Sequence, residues 1–354
     1  MDGWTLKLDV IYESRIQLSI VLSFPSHYRY HPRDLSLLEE TVTDCFYIAG
    51  GLYGNPYALK KILEMADQDE NQNGIKPVLM FNGDFNWLNI DNKSFRDINK
   101  TVLSHYALKG NVELELVTPS ADGGCGCGYP EYIDKKIQDW SNQIIKTLRE
   151  RAKKNADLTA KLNLLPKIAI LKVNSLRIGV IHGDPESLSG WNLAYEEIGD
   201  ISSLKKKIYS KVSSKTISKT EKIKNYFEFS KVDVFASTHT GLAFLREFSL
   251  KGKKKIIVNN GSAGMPNFSK KLSGLITRIA TKPLQMNNKL YGINIDGVFI
   301  DALSIDYDQT AWLKLFQKNW PINSPASQAY YQRITCGPEH TIKEAYGAET
   351  IISL

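Results

Sequence analysis

The sequence predicts an α/β fold in which buried strands end at turns that carry polar side chains. The apolar run at residues 78–81 leads into an Asn-Gly-Asp turn that contains Asp84, and the run at residues 178–181 leads into His182. A short continuous apolar run that ends in turn residues is typical of a strand buried on both faces. Polar side chains just beyond the carboxyl edge of a sheet lie where open α/β sheets bind ligands.

The composition is that of an ordinary globular protein, with 354 residues, of which 42% are hydrophobic and 23% charged. The net charge of +7 suits an anionic substrate, although a solvated lysine-rich surface explains it equally well. No apolar run approaches the ~20 residues that span a bilayer, and the N-terminus lacks the pattern of a secretory signal. The four cysteines do not form a dense disulfide framework. We therefore expect a cytoplasmic protein without membrane contact.

The first part of the chain is expected to form a hairpin followed by alternating strands and helices. Residues 4–24 alternate apolar and polar side chains twice, which is typical of paired strands. The elements expected next are a helix at 35–43, a strand at 44–49, a helix at 57–66 with a polar loop at 67–74, a strand at 78–81 and a helix at 95–108.

Two helical segments are expected beside the sheets. Residues 130–166 form the first, since Pro130 stands at a favoured first helical position and apolar residues then share one face. Residues 190–231 form the second, and its many lysines indicate a solvated face or, as the alternative, a nucleic-acid surface. The remaining expected elements are strands at 168–173, 177–181, 232–236, 243–250, 255–259 and 291–303, and a helix at 311–319.

No internal repeat or linker is visible, so residues 1–354 are predicted to form one domain. That domain includes the N-terminal hairpin within 1–43, the helical insertion at about 130–166 and the lysine-rich segment at about 190–231.

Polar side chains at strand ends or in glycine turns supply a set of metal ligands. Asp84 and His182 follow apolar runs, Asn111 follows Gly110 in a turn, and His239 follows the strand expected at 232–236. Each has a plain explanation as a turn residue. Together they offer a carboxylate, an amide oxygen and two imidazoles, which suit a divalent metal such as Mn, Fe or Zn.

A glycine-rich turn precedes the helix expected at 57–66 and includes Gly51, Tyr53, Gly54 and Asn55. Such a turn at a helix N-terminus exposes backbone N–H groups that can hold an anion. The glycines are equally well explained by a tight turn alone.

Taken in order, these motifs resemble those of the calcineurin-like metallophosphoesterases over about residues 44–305. The Gly-Asp motif of that family falls on Asp84, its Gly-Asn motif on Asn111 with Glu113 in the acidic place, and its histidines on His182 and His239. The resemblance implies a four-layer α-β-β-α sandwich with a helical insertion. It also implies hydrolysis of phosphoric esters by metal-activated water.

The departures from the family pattern remove one metal position and leave the other complete. The opening Asp-x-His of the family falls on Gly51 and Tyr53, and its last histidine falls on Gly241. The resemblance therefore implies a reduced site with one ion bound by Asp84, Asn111, His182 and His239. A variant of this hypothesis restores a second ion with Cys125 and Cys127 as ligands, although structural thiols explain that pair as well.

The resulting hypothesis is a one-metal phosphoesterase or phosphodiesterase that acts on a phosphate-ester small molecule or a nucleotide. Tyr53 and the backbone N–H groups of residues 50–55 would bind the phosphate, while Asp184 or Glu113 would orient water or protonate the leaving oxygen. The alternative is a catalytically decayed phosphoesterase fold that binds a nucleotide or a partner.

Overall fold

The computed structural model describes residues 26–198, 214–346 and 352–354. In these ranges the chain forms strands β1 to β13 and helices α1 to α11. The strands are Glu40–Val42, Cys45–Ala49, Val78–Asn82, Tyr106–Leu108, Ile168–Val173, Leu176–Ile181, Val234–Ser237, Phe244–Leu250, Lys253–Asn259, Gly274–Ala280, Lys289–Ile295, Val298–Ile305 and Ile352–Ser353. The helices are Pro32–Leu37, Pro56–Asn73, Asn92–Val102, Asn111–Val117, Lys135–Lys153, Ala156–Asn163, Tyr195–Ile198, Ser214–Ser230, Gln309–Asn319, Pro325–Cys336 and Ile342–Tyr346.

The strands form two sheets. The first has the order β1-β5-β6-β7-β9-β8-β13 and the second has the order β11-β12-β10-β2-β3-β4. In the second sheet β2, β3 and β4 are parallel neighbours, and in the first sheet β6, β7 and β9 are parallel neighbours. In each sheet the carboxyl ends of these parallel strands therefore lie side by side. The predicted ligands come directly after the strands, at these ends.

Strand β2 shows why the sheets pack as a sandwich. All five of its residues are buried, as the continuous apolar run predicts. Phe46 and Ile48 belong to the core shared with the first sheet, which includes Val180 and Val234. Tyr47 and its alternate neighbours point the other way, into a second core formed with the helices. A strand buried on both faces thus separates a sheet–sheet core from a sheet–helix core.

Helices cover the outer face of each sheet. Residues of α2, α3, α5 and α6 pack in the second core. On the outside of the first sheet, Phe227 of α8 contacts Phe235 of β7, with ring centroids 4.9 Å apart. The predicted α-β-β-α arrangement is therefore confirmed. Helices α5 and α6 lie within the insertion expected at residues 130–166.

Most expected elements are present, but several boundaries were wrong. The loop expected at 67–74 is the end of α2, because the buried side chains of Asp69 and Asn73 bond to one another and Asp69 also accepts from Arg278 of β10. The helix expected at 95–108 ends at Val102 and is followed by β4. The helix expected from Pro130 begins at Lys135, with the Asp134 side chain accepting a hydrogen bond at the cap.

Other differences follow from short or weakly patterned segments. The helix expected at 35–43 is α1 followed by β1, and the strand expected at 291–303 is the hairpin of β11 and β12. Strand β10 and helix α10 were not expected. The hairpin expected at residues 4–24 lies outside the described residues, as do residues 199–213 of the lysine-rich segment. Among the described helices, none combines the length and apolar character that crossing a bilayer requires.

Candidate metal centre

The four predicted ligands follow strands of both sheets. Asp84 lies just beyond β3 and Asn111 begins α4 just beyond β4, while His182 follows β6 and His239 follows β7. Because β3 and β4 belong to one sheet and β6 and β7 to the other, the site lies where the strand ends of the two sheets meet. Asp84, Asn111 and His182 are buried, and His239 is half-buried.

The donor atoms of these residues converge. The His182 Nε2 atom lies 3.2 Å from Asn111 Oδ1, 3.3 Å from Asp84 Oδ2 and 3.3 Å from His239 Nδ1. Ligand atoms of Asp84, His182 and His239 all lie within 4.8 Å of one another. Asp84, His182 and His239 are therefore close enough to hold one cation, and Asn111 Oδ1 lies beside the His182 nitrogen that would face it.

Backbone carbonyl oxygens orient three of the four ligands. Asn82 O accepts from His182 Nδ1 and Cys127 O accepts from His239 Nε2, both at 2.8 Å. Cys125 O accepts from the Asn111 amide nitrogen at 3.0 Å. A carbonyl can only accept, so each bond places the proton-bearing nitrogen outward and the lone pair inward.

The inward-facing atoms fit a divalent metal. With Nδ1 of His182 and Nε2 of His239 protonated, the remaining ring nitrogens and the two ligand oxygens present only lone pairs to one another. Such an arrangement is unfavourable without a cation between them. A carboxylate, an amide oxygen and two neutral imidazoles are also the donor types that Mn, Fe or Zn accept.

The electrostatics of the site favour a neutral His239 and an ionised Asp84. Burial and the charge of His182 lower the pKa of His239 to about 4, which keeps its imidazole neutral. Burial raises the pKa of Asp84, but interactions with His182 outweigh that effect and hold the pKa below its ordinary value. Burial likewise disfavours a charged His182, but Asp84 raises the pKa of His182 above its ordinary value. Proton and metal thus compete for the same His182 nitrogen.

Close backbone approach makes the glycines of the two loops necessary. A Cβ atom on Gly83, where φ is +77°, would lie 2.5 Å from Gly110 N and 2.6 Å from His182 Nδ1. A Cβ atom on Gly110 would lie 2.2 Å from Asp84 Oδ1. The Gly-Asp and Gly-Asn motifs therefore fit against each other through their glycines, which brings Asp84 and Asn111 to one point.

Glu113 holds these loops together instead of facing the cavity. Its Oε2 atom accepts from the backbone N–H groups of Asp84 and Gly110, at 2.7 and 3.0 Å. Its Oε1 atom accepts from the backbone N–H of Asn86 at 3.1 Å. Burial and the charge of Asp84 raise the pKa of Glu113 to about 7. This geometry makes Glu113 a positioning residue for Asp84.

Asp184 has a similar structural environment. Its buried carboxylate accepts from the backbone N–H groups of Glu186, Ser187 and Asn192, at 2.8, 3.0 and 3.1 Å. These bonds shape the loop that carries Trp191. The carboxylate is not among the groups that line the cavity described below.

The glycine-rich turn uses its N–H groups within the protein. The N–H groups of Tyr53 and Gly54 donate to the carbonyl oxygens of Asp84 and Phe85, at 3.3 and 3.0 Å. These donors therefore tie the turn to the loop after β3. The Tyr53 side chain is the part of the turn that lines the cavity.

Asn55 is the N-cap of α2. Its buried side-chain oxygen accepts from the backbone N–H groups of Tyr57 and Ala58, at 3.0 and 3.1 Å, and its amide nitrogen donates to Gly264 O at 3.0 Å. The side chain is fully occupied by these contacts, so it fixes the start of the helix.

The Tyr53 ring packs against Gly51 and reaches towards Gly241. A Cβ atom on Gly51 would lie 2.8 Å from Tyr53 Cζ, so no longer side chain fits at residue 51 while Tyr53 holds this position. A Cβ atom on Gly241 would lie 3.6 Å from the Tyr53 hydroxyl. The three positions that depart from the family pattern therefore meet around the Tyr53 side chain, which lines the same cavity as Asp84.

Cys125 and Cys127 form a disulfide, with Cα atoms 5.3 Å apart. As a disulfide, neither sulfur is a thiolate, so the structure does not support the variant hypothesis of a second ion on this pair. The backbone of Cys127 has a different part in the site, since its carbonyl oxygen accepts from both His239 and Trp191.

A cavity of about 150 Å³ opens beside the ligand atoms. Aromatic side chains dominate its walls, and one arginine reaches into it. The lining residues that sequence reasoning did not assign to the site include Trp87, Tyr129, Tyr330 and Arg333. Trp191 also lines the cavity, with its ring 5.6 Å from that of His239 and edge-on to it. Asn82 was also missed as an orienting residue, although it begins the Asn-Gly-Asp turn.

Two other basic features lie outside the site. The buried Arg246 guanidinium donates to the carbonyl oxygens of Glu344 and Ala345, so it faces neither substrate nor solvent. In the described part of the lysine-rich segment, Lys219 pairs with Glu197 and Lys222 with Glu186. Lysines neutralised in this way give little support to a nucleic-acid surface.

Solved structures share this fold. A hypothetical protein from Pyrococcus horikoshii matches with a TM-score of 0.52 and 13% identity, over 84% of this chain and 100% of that chain. A metallophosphoesterase from Sphaerobacter thermophilus has a TM-score of 0.47 and 12% identity, over 83% and 99% of the two chains. Vps29 from Chaetomium thermophilum has a TM-score of 0.33 and 12% identity, over 76% and 100%. Neither a protein-family model nor a curated protein matches the chain.

At such identities a likeness to solved structures establishes the fold. The two-sheet sandwich expected from the motifs is confirmed. The chain therefore has a two-sheet α/β sandwich fold, with a candidate Asp, His and His metal centre at the strand ends.

Proposed function

We propose that the protein is a phosphoesterase or phosphodiesterase that uses one divalent metal ion. The observation that supports this most strongly is the convergence of Asp84, Asn111, His182 and His239 on one point with their lone pairs inward. These residues lie far apart in the sequence, and carbonyl oxygens of other loops fix His182, His239 and Asn111. Three orienting bonds of this kind are not expected in a cluster of polar side chains that binds no ligand.

A divalent ion bound by these residues, with Mn, Fe and Zn as the candidates, supplies Lewis acidity and lowers the pKa of a bound water. The chain supplies the rest of the site. Asp84 keeps a negative charge beside the two imidazoles, and Glu113 fixes its backbone. Trp191 and Tyr129 form a wall that suits the organic part of a phosphate ester or nucleotide.

The test combines metal content with hydrolysis. The protein as purified is measured by elemental analysis, and its hydrolysis of bis(p-nitrophenyl) phosphate is measured with added Mn²⁺. We expect one ion per chain and measurable turnover. In a His239→Ala variant we expect loss of the ion and a rate reduced by at least about 100-fold, since removal of a ligand disrupts the site.

A His105→Ala variant is the matched control, because His105 is exposed and has no role in the site. Its metal content and rate should equal those of the wild type. Full metal occupancy without turnover of any phosphate ester would instead support the binding-protein alternative. Turnover that survives in His239→Ala would contradict the proposed centre.

A further inference from the structure

Arg333 enters the site from the last turn of α10, a helix that the sequence did not predict. Its guanidinium lines the cavity together with Tyr53 and Gly241. A Cβ atom on Gly241 would lie 3.5 Å from Arg333 Nη1 and 3.6 Å from the Tyr53 hydroxyl. The guanidinium therefore reaches the place where the departures from the family pattern meet.

Three hydrogen bonds hold the guanidinium in a fixed orientation. Its Nε atom donates to Pro266 O at 3.2 Å, and its Nη2 atom donates to Gly241 O at 2.8 Å and to Ser262 Oγ at 3.1 Å. These bonds use one edge of the planar group. Within the described part of the chain, the N–H groups of Nη1 have no hydrogen-bond partner.

The charge of Arg333 is not neutralised by an acidic side chain. In the described ranges no carboxylate lies within 4.0 Å of its nitrogens, whereas half-buried Arg149 and buried Arg278 both have such partners. A half-buried guanidinium without a counter-ion is costly unless a ligand supplies the negative charge. An anion with several oxygens suits the free edge of the guanidinium.

We propose that Arg333 and the Tyr53 hydroxyl form an anion site for the phosphoryl group of the substrate, at the place where the second metal position of the family would be. Its meaning for catalysis rests on the proposed function, but its ability to bind an anion does not. The arginine contributes a fixed positive charge and two N–H donors, and Tyr53 contributes one O–H donor. Together they hold phosphoryl oxygens beside Asp84 and His239.

The site explains how a centre with one metal position can retain a charged contact to the phosphate. A guanidinium cannot coordinate a water molecule as a metal ion does. Arg333 would therefore replace the second ion only in stabilising charge and in orienting the phosphoryl group. The departures at Gly51, Tyr53 and Gly241 are then related. A side chain at residue 51 would press on the tyrosine ring, and the Cβ of one at residue 241 would already be in van der Waals contact with the guanidinium and the tyrosine hydroxyl.

The experiment measures phosphate binding to protein from which metal has been removed with a chelator. Inorganic phosphate is titrated by calorimetry and by ³¹P NMR, with chloride at equal ionic strength as reference. We expect saturable binding by the wild type. In Arg333→Gln the affinity for phosphate should fall by at least about tenfold. In Arg333→Lys, which loses the fork geometry, and in Tyr53→Phe, which loses one donor, it should fall by about threefold or more.

Lys318→Gln is the matched control, since it removes one positive charge from the exposed end of the neighbouring α9 helix. Its phosphate affinity should equal that of the wild type. If Arg333→Gln does not fold, Arg333→Lys and Tyr53→Phe decide the matter. Absence of saturable binding by the wild type, or equal binding by folded Arg333 and Tyr53 variants, would overturn the anion site.

The two proposals fail in different ways. If phosphate binding depends on Arg333 but no hydrolysis is found, the anion site is supported and the proposed enzyme activity is contradicted. Hydrolysis with unchanged KM and kcat in Arg333→Gln would retain the activity and overturn the proposal that Arg333 holds the phosphoryl group of the substrate. In an active enzyme that uses the site, KM should rise and kcat should fall in Arg333→Gln, because the contact acts on both ground and transition states.

Discussion

Glu113 is bonded to the loops that carry the candidate ligands and does not line the cavity. Its two carboxylate oxygens accept from the backbone of Asp84, Asn86 and Gly110, so it fixes the turns that carry Asp84 and Asn111. An acidic residue at this place was expected to serve as a catalytic group. Its burial and its hydrogen bonds indicate that it acts through the ligand loops.

This assignment predicts the effect of Glu113→Gln. The glutamine replaces one accepting oxygen with an N–H₂ group that faces backbone donors, so the turns must shift. We expect metal affinity to fall by about 10- to 100-fold, as when other orienting groups are lost. The measurement is a metal titration followed by calorimetry, and exposed Glu131→Gln is the control. An unchanged metal affinity in Glu113→Gln would contradict the positioning role.

At the scale of elements, a buried ion pair joins α2 to β10. Arg278 donates to both oxygens of Asp69, at 2.7 and 3.3 Å, and both side chains are buried. Tyr47 on the intervening strand β2 also donates to Asp69, at 2.8 Å. Burial raises the pKa of Asp69, but hydrogen bonds from Arg278 and Asn73 outweigh that effect and lower it. The helix is therefore fixed over the sheet whose β3 strand leads to Asp84.

We expect Asp69→Asn to lower the free energy of unfolding by about 3–5 kcal/mol, because Arg278 loses its main partner while it stays buried. Exposed Glu64, which pairs with Lys60 and Lys61, provides the control. Glu64→Gln should change stability by less than about 0.5 kcal/mol. Both variants are compared with the wild type by urea denaturation. Equal changes in the free energy of unfolding would show that the buried pair contributes little to stability.

The same pair has a defined pH dependence. An aspartate whose pKa is lowered by folding adds stability above the ordinary Asp pKa of about 3.9 and loses it as the pH falls through the lowered value. The difference in unfolding free energy between wild type and Asp69→Asn should therefore narrow as the pH falls below about 3.9. A difference that stays constant into acid would contradict this assignment.

At the scale of the whole molecule, the candidate centre links the two sheets. Asp84 and Asn111 follow strands of one sheet, and His182 and His239 follow strands of the other. A ligand that binds only the folded protein stabilises it by mass action. A metal ion held by all four residues would therefore oppose separation of the sheets.

We expect Mn²⁺ or Zn²⁺ at 100 times its dissociation constant to raise the free energy of unfolding by about 2.7 kcal/mol. The measurement is chemical denaturation with metal or with chelator. The increase should disappear in His239→Ala and persist in His105→Ala. Equal stabilisation of both variants would place the bound ion elsewhere.

The sequence alone supports the general fold and the ligand set for a local reason. Buried strands appear as short apolar runs, and Asp84, Asn111, His182 and His239 each follow such a run or sit in a glycine turn near its end. Because parallel strands end at a shared edge, residues at strand ends can be expected to meet even when they are far apart in the chain. The short strand β4 and the polar end of α2 were missed because their local patterns are weak.

What the sequence determined by itself was therefore the class of fold and one group of candidate ligands. Only the tertiary structure decided the direction of each side chain: Glu113 and Asp184 turn toward backbone N–H groups, and Tyr53 turns into the cavity. It also brought Arg333 from a late helix to the place beside Tyr53 and Gly241. The physical reason is that side-chain orientation and long-range approach depend on packing between elements, whereas strand ends and turns are encoded by neighbouring residues.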